Sequence, residues 1–475
     1  RKGDRTLMSS RPAEAEPSSS PRAAAPKRAL VSWALVDWAL QPYYTLILTF
    51  LFAPYFTSAV VGDPVRGQAL WGYAAAIAGI LIAVGSPVLG AMADENGRRK
   101  PWVALFAVVL VAGMASLWWA KPAASDAALF LILVAFIAAT IAAEFATVFT
   151  NAMMPTLVPS DQLGRLSGIG WATGYVGGLI SLAVMAGLLV TNPATGRTLL
   201  GFEPLLSLDV VQREGDRMVG PFAAAWAVVF LLPFFLFVPD RSTGGLRSDH
   251  RSALAQLWQT LRELPRQRDV LYFLVARALY SDGLTAIFVF GGIYGTAVFG
   301  WEAFERGIFG ILLITIGIVG AVMGGALDDK FGAKRVVIGA LVLLMIGCVG
   351  ILSVTTGYVL FTIPIAERMP GSQPFSSTGE IVFLIFAGLI AIAAAPNQAA
   401  SRTLMARLSP PDRMTQYFGL FAFSGKVTAF LAPLTIAAVT SLTGSQRAGM
   451  AMILAFLLAG LLILLPVREQ RVSSA

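Results

Sequence analysis

Histidine and cysteine are almost absent from this chain, which holds one of each, His250 and Cys348, in 475 residues. A lone cysteine excludes an intramolecular disulfide. With so few such ligands no zinc site and no Cys/His catalytic pair can be assembled, and no metal or cofactor is expected. His250, in a polar segment, reads as a solvated loop residue. Charge is scarce as well: Asp, Glu, Lys and Arg make up 13% of the chain, against about a quarter in soluble domains. An ordinary water-soluble fold is thereby excluded. No set of nucleophile, base and oxyanion donors appears, so an enzyme is not expected. Residues 1–28, "RKGDRTLMSSRPAEAEPSSSPRAAAPKR", lack the apolar core of a cleaved leader. Rich in Ser, Pro, Ala and charge, they are expected to be a disordered tail.

Apolar residues, in contrast, are abundant, at 56% with a mean hydropathy of +0.73. Runs near or above the roughly 18–20 residues that cross a bilayer as a helix recur along the whole length. They lie at about 30–56, 69–92, 101–120, 127–149, 166–190, 220–238, 270–298, 306–326, 335–354, 380–400, 417–440 and 446–466. Lipid cannot satisfy exposed backbone groups, so the spans must be helical. The expected fold is an all-α polytopic membrane protein with 12 transmembrane helices.

A net charge of +8 invites a nucleic-acid reading, but the distribution of the cations argues against it. Of the 35 Lys and Arg, 25 fall in the two tails and the even-numbered loops and eight in the odd-numbered loops. That bias places both termini in the cytoplasm. The basicity reports topology, and the bilayer is the partner it implies.

Two stretches are written twice. "GAMADENGRRK" (90–100) returns as "GALDDKFGAKR" (325–335), and "VPSDQLGRLSGIGWATG" (158–174) aligns without a gap on "SPPDRMTQYFGLFAFSG" (409–425). In the second pair Pro159, Asp161, Gly168 and Gly174 fall on Pro410, Asp412, Gly419 and Gly425. A duplicated six-helix unit explains both echoes. The expected layout is a tail (1–28), a first bundle (29–238), a cytoplasmic linker (239–269), a second bundle (270–466) and a tail (467–475). Within the linker, "SALAQLWQTLREL" repeats Leu254, Leu257, Trp258, Leu261 and Leu264 at helical spacing. The pattern fits an amphipathic helix on the membrane face or one packed on the bundle ends.

"GAMADENGRRK" resembles the signature loop between the second and third helices of the major facilitator superfamily, through Gly90, Asp94, Gly97, Arg98, Arg99 and Lys100. Its second copy fits at Gly325, Asp329, Lys330, Gly332, Lys334 and Arg335. Longer stretches resemble the vacuole-effluxer-like branch of that superfamily, named for an autophagy-related exporter of amino acids: "WALVDWALQPYYTLILTFLFAPYF" (33–56), "GRLSGIGWATGYVGG" (164–178), "ARALYSDGLTAIFVFGGIYG" (276–295) and "FGLFAFSGKVTAFLAPL" (418–434). The resemblance implies the major facilitator fold, two pseudo-symmetric halves, and a latch role for the paired loops in one conformation. It also implies a secondary active transporter, working by alternating access as a monomer in a bacterial cytoplasmic membrane. The implied cargo is a small polar organic solute, with an amino acid favoured. An amphiphilic lipid-like cargo, suggested by the glycine- and aromatic-rich "GIGWATGYVGG", and a non-transporting receptor or scaffold stand as alternatives.

Five ionisable residues fall inside spans: Asp37, Glu144, Arg277, Asp282 and Lys426. Each costs at least about 2.5–3.5 kcal/mol at mid-bilayer, so each needs a partner or a wet cavity. By count they sit on helices 1, 4, 7, 7 and 11, whereas helices 3, 6, 9 and 12 carry none. In the resembling fold those four are outer scaffold. Asp37, Gln41 and Tyr44 share a face of helix 1, beside the break expected at Pro42. Lys426 is the expected partner of Asp282, and Arg165 or another basic loop residue that of Glu144. Arg277 and Asp282 project about 140° apart and do not pair. Opposite charges in one cavity suit a zwitterion, and a buried carboxylate can carry a proton, with Asp37 and Asp282 the candidates. "FSGKVT" lacks the spacing and the hydroxyl of a phosphate loop, so nucleotide-driven transport is not implied.

Overall fold

The computed structural model describes residues 24–191, 195–240, 253–301, 303–366 and 373–469. The expected disorder of the first tail, His250 and the last residues of the second tail lie largely or wholly outside that set. Among the described residues eleven helices are long and apolar enough to cross a membrane, and a broken twelfth completes the set. They are α1 (Lys27–Pro42, prolonged with π-helical turns to Val60), α2 (Pro64–Asn96), α3 (Lys100–Ser116), α4 (Asp126–Met153), α5 (Leu163–Val184) and α6 (Glu214–Phe237). After them come α7 (Arg268–Phe299), α8 (Ala303–Phe331), α9 (Ala333–Leu352), α10 (Thr378–Leu408), α11 in two pieces (Met414–Ser424 and Leu431–Thr443) and α12 (Gln446–Leu464). A short hairpin, Tyr358–Val359 with Ile363–Pro364, joins α9 to α10.

Local sequence explains the irregular spans. Pro42 lacks the N–H that would continue the α ladder, and the chain answers with a π-helical stretch, Tyr43–Phe50. In α11 the run Gly425–Phe430 is a turn rather than helix. It contains Gly425 and the charged Lys426, and Pro433 follows at a position that cannot serve the Ala429 carbonyl. Helix ends are fixed by Asp63 on α2, Ser125 on α4, a capping box of Ser377 and Glu380 on α10, and Ser445 on α12.

The halves meet through α2 against α11 and α5 against α8, with α4–α11 and α5–α10 behind them. By contrast α3, α6, α9 and α12 pack chiefly on neighbours in their own half. They turn large apolar side chains outward, among them Leu105, Val108, Val229, Leu232, Leu236 and Leu462. Such a girdle is lipid-facing. The linker helix, Ala253–Glu263, lays Leu257 on Val88 and Ala91 of α2 while Trp258 and Leu261 stay exposed. The helix is therefore packed on the bundle end along one side.

Candidate functional site

The echoes in sequence become contacts in space, and they lie at the end of the bundle that carries both charged loops. Asp94 is buried there and accepts the backbone N–H groups of Thr415 (3.1 Å) and Gln416 (2.8 Å), the first residues of α11. Asp329, 235 positions on, accepts the N–H of Arg165 (3.1 Å) and that of Gly164 at the start of α5. A carboxylate on an unpaired helix start matches both the free donors and the helix dipole. Glycines make the approach possible. A methyl on Gly90 would stand 2.6 Å from the Thr415 carbonyl oxygen, and one on Gly325 would stand 2.7 Å from that of Gly164. Gly419 lies against the Ser86 carbonyl as Gly168 lies against that of Ala321.

These two clamps are not identical. Arg99 crosses the first, donating to Asp94 (3.2 Å) and to the Thr415 hydroxyl (2.7 Å) while almost wholly buried. In the second, Arg165 is exposed and only 3.9 Å from Asp329. There the buried cation is Arg407 of α10, paired with Asp328 (2.5 Å) and Glu469 (2.7 Å), and Thr403 donates to Asp328. The acid expected to do this work was Asp329 alone; the neighbouring Asp328 carries the ion pair. Gly97 and Gly332 both take positive φ, at 70° and 94°, as their turns require. Arg98 and Arg335 are exposed.

One register is corrected. Asp240, after α6, accepts the N–H groups of Arg99 and Lys100, both at 3.1 Å, and Glu469, after α12, accepts those of Ala333 and Lys334, both at 3.0 Å. Lys100 donates to the Phe235 carbonyl and Lys334 to that of Leu465. The spatial partner of Lys334 is therefore Lys100. The first loop holds one extra residue, which frees Arg99 to reach across.

Deeper in the bundle, two ion pairs join opposite halves. Asp37 of α1 meets Arg402 of α10 at 3.1 Å. Arg402 also donates to the Ser167 hydroxyl (2.8 Å), the Ser167 carbonyl (2.7 Å) and Asn151 (3.1 Å), with its guanidinium 5.0 Å from the Trp33 ring. Four acceptors and an aromatic face satisfy a buried guanidinium. Gly170 leaves the room, since a methyl there would stand 2.6 Å from the Asp37 carboxylate. Arg402 was not among the expected site residues. The apolar run ends at 400, so it read as a loop cation, whereas α10 continues to Leu408. The alignment of 158–174 on 409–425 extends back without a gap to pair Asn151 with Arg402, and that was the available signal.

The second pair is Lys426 with Glu144 of α4, at 2.9 Å. Neither expected partner holds. Lys426 does not pair with Asp282, because the turn that interrupts α11 swings it toward the other half, and Glu144 does not reach Arg165. Lys426, Asp37 and Glu144 keep side-chain exposures of 32%, 24% and 21%. Both pairs therefore keep a partly accessible carboxylate.

Arg277 caps the first piece of α11. It donates to the Phe421 carbonyl (2.5 Å) and the Ser424 hydroxyl (2.9 Å) and lies 3.4 Å from the Phe421 ring centre. A cation at a helix C-terminus is favourable. Asp282 is 1% exposed, with Oδ2 unpartnered among the described residues. Gln41 donates to Thr45 (3.3 Å) and adjoins Gly174 and Gly178 of α5. Tyr44 leans edge-on against Tyr43 and lies beside Glu144 and Thr147. The glycines of "GIGWATGYVGG" are used to bring α5 against α1 and α8: Gly170, Gly174, Gly177 and Gly178 abut α1, and Gly168 abuts α8. They do not form an open groove for an acyl chain.

Two pseudo-symmetric six-helix halves with charged groups across their seam define a transporter of the major facilitator superfamily. The chain belongs to the family described as "Vacuole effluxer Atg22 like", whose model matches residues 57–474. It is similar to the MFS-type transporter YxiO of Bacillus subtilis (strain 168), with 25% identity over 437 residues, 90% of this chain and 92% of that protein. Similar too is Autophagy-related protein 22 of Cryptococcus neoformans var. neoformans serotype D (strain B-3501A), 25% identical over 315 residues, 64% of this chain and 52% of that one. The chain thus spans about half the length of that fungal relative. Among solved structures, the transporter FucP in its outward conformation matches with TM-score 0.70 and 14% identity, covering 94% of this chain and 99% of that one. The proton:xylose symporter XylE matches with TM-score 0.68 and 14% identity, covering 93% and 96%. These likenesses establish the fold.

Proposed function

We propose that this protein moves a small zwitterionic solute of the amino-acid class by alternating access, through a site between the halves. The observation that carries the proposal is the pair of ionic contacts across the seam, Glu144–Lys426, partly exposed on both sides, and Asp37–Arg402, partly exposed at the carboxylate. A solute bearing an ammonium and a carboxylate can replace Lys426 on Glu144 and Glu144 on Lys426, so that binding itself parts the halves. A single-charge ion offers only one of these exchanges, and an uncharged sugar offers neither. The family description, vacuole effluxer, supports export as the direction. The clamped end, with its basic loops, is assigned to the cytoplasm along with both termini, which makes the clamped form outward-facing. Asp37, beside the Pro42 break and with a quarter of its side chain exposed, is assigned the proton-carrying role. The working unit is one chain in a bacterial inner membrane.

Proteoliposomes loaded with unlabelled amino acids should take up labelled ones by counterflow without ATP. Lys426→Ala and Asp37→Asn should abolish this at normal insertion. Full counterflow in both variants would remove the seam from the transport path. Flux of a lipid in their place would favour the amphiphile.

A further inference from the structure

The turn that interrupts α11 leaves backbone oxygens unserved. Among the described residues, the carbonyls of Ser424, Gly425 and Val427 accept no backbone N–H. That of Ala429 would be served by residue 433, a proline. In a hydrocarbon setting each such oxygen costs several kcal/mol unless something else meets it. Across from the turn stands Asp282 of α7, 1% exposed, with Oδ2 unpartnered. Its carboxyl meets the Thr428 hydroxyl, which belongs to the turn and also reaches the Ala278 carbonyl at 3.3 Å. Nearby cations are engaged elsewhere: Arg277 on Phe421 and Ser424, Lys426 on Glu144. The other polar neighbour on α7, Tyr280, is hydrogen-bonded to Ser401 at 2.7 Å.

A buried carboxylate that meets a hydroxyl on a turn with unserved carbonyls offers an all-oxygen donor set, which suits a hard cation. Broken membrane helices supply such oxygens to coupling ions in other transporter folds. We propose that Asp282, Thr428 and the free carbonyls of the turn, those of Ser424, Gly425 and Val427, form a binding site for a monovalent cation, sodium. One carboxylate neutralises one charge; a divalent ion would leave a net positive charge in the hydrocarbon layer. Occupancy would fix the shape of the turn and so the position of Lys426, linking the ion to the contact with Glu144. The site lies wholly within the second half, and the proposal is independent of which cargo the seam binds.

The test is thermal unfolding of the purified full-length chain, without cargo, titrated with NaCl against choline chloride at constant ionic strength, at pH 6 and pH 8. Sodium should raise the midpoint in a saturable way and choline should not. Asp282→Asn should abolish the rise, and Thr428→Val should weaken half-saturation about tenfold, which corresponds to 1.4 kcal/mol. Should Asp282→Asn fail to fold, equilibrium binding of radioactive sodium to the wild type and to Thr428→Val decides the matter. Equal responses to sodium and choline, or a wild-type sodium response in Asp282→Asn, would overturn the site. So would stabilisation that follows pH with no sodium dependence, which would assign Asp282 to a proton.

Discussion

Replacing Asp94 by Asn should unfasten the charged-loop end. In the clamped form its carboxylate receives two amide N–H groups of α11 and the Arg99 guanidinium, all in a nearly dry setting. A hydrogen bond to a charged group contributes about 1.5–3 kcal/mol, against about 1 for a neutral one. Removing the charge therefore weakens three contacts by roughly 1 kcal/mol each, about 3 kcal/mol in all. Once the end opens, water can solvate Arg99 and the amides, so the loss falls mainly on the clamped form. At 1.4 kcal/mol per factor of ten, a clamped-to-open ratio shifts about 150-fold. A population clamped 100 to 1 would then be close to evenly split. The sole cysteine, Cys348, is buried, and its replacement by Ala allows spin labels at Arg98→Cys and Arg335→Cys, exposed positions on opposite halves. Double electron–electron resonance should show a new longer distance in Asp94→Asn. Glu95→Gln, one residue away and exposed, is the control and should leave the distribution unchanged. An Asp94→Asn distribution identical to wild type would refute the clamp.

Gly90→Ala and Gly168→Ala should produce the same lengthening, because each new methyl would stand 2.6 Å or 2.5 Å from a carbonyl oxygen of the other half in the clamped form; unchanged distances would show that the interface has slack. Arg402→Lys keeps the charge but offers at most three donors to four acceptors, so a loss of about 2 kcal/mol is expected, read as a lower thermal midpoint in detergent, and a wild-type midpoint would dismiss the network. Glu144→Gln with Lys426→Met should unfold at a higher temperature than either single variant, since each single variant leaves one unpaired charge and the double leaves none, while remaining transport-dead; purely additive effects would show that the pair is not coupled. Outside the membrane, hydrogen bonds from Gln259 and Arg413 hold the Glu263 carboxyl below its ordinary value. Its tether between the linker helix and the start of α11 is thus intact at neutral pH and is lost only as pH falls below the ordinary carboxylate range and through the lowered value, which limited proteolysis of the linker along a descending pH series from pH 7 would detect.

Span number, the doubled loops and the location of charge on inner helices were legible because each is a local pattern: hydropathy over 20 residues, or a repeated string. Partner choice was not, because it depends on how far a helix runs past its apolar run and on where it breaks. Arg402 read as a loop residue for the first reason. Lys426 was assigned to Asp282 for the second, although Gly425 and Pro433 frame the turn that reorients it. Asp328 and Asp329 are adjacent in sequence yet face different elements, a distinction that only the packing of α8 between α5 and α10 draws. The extra residue in the first loop was visible as a length, but its effect, the freedom of Arg99, appears only when Asp240 and Glu469 are seen to grip equivalent amides.

That unequal loop length also gives the machine a preferred seam for failure. Where Arg99 is sewn inside the join, parting it must first hydrate a guanidinium held away from water. Where Arg165 already lies in water, no such toll applies at the surface. At the charged-loop surface the α5–α8 edge should therefore loosen before the α2–α11 edge, while Arg402 still holds α5 to α10 deeper in the bundle.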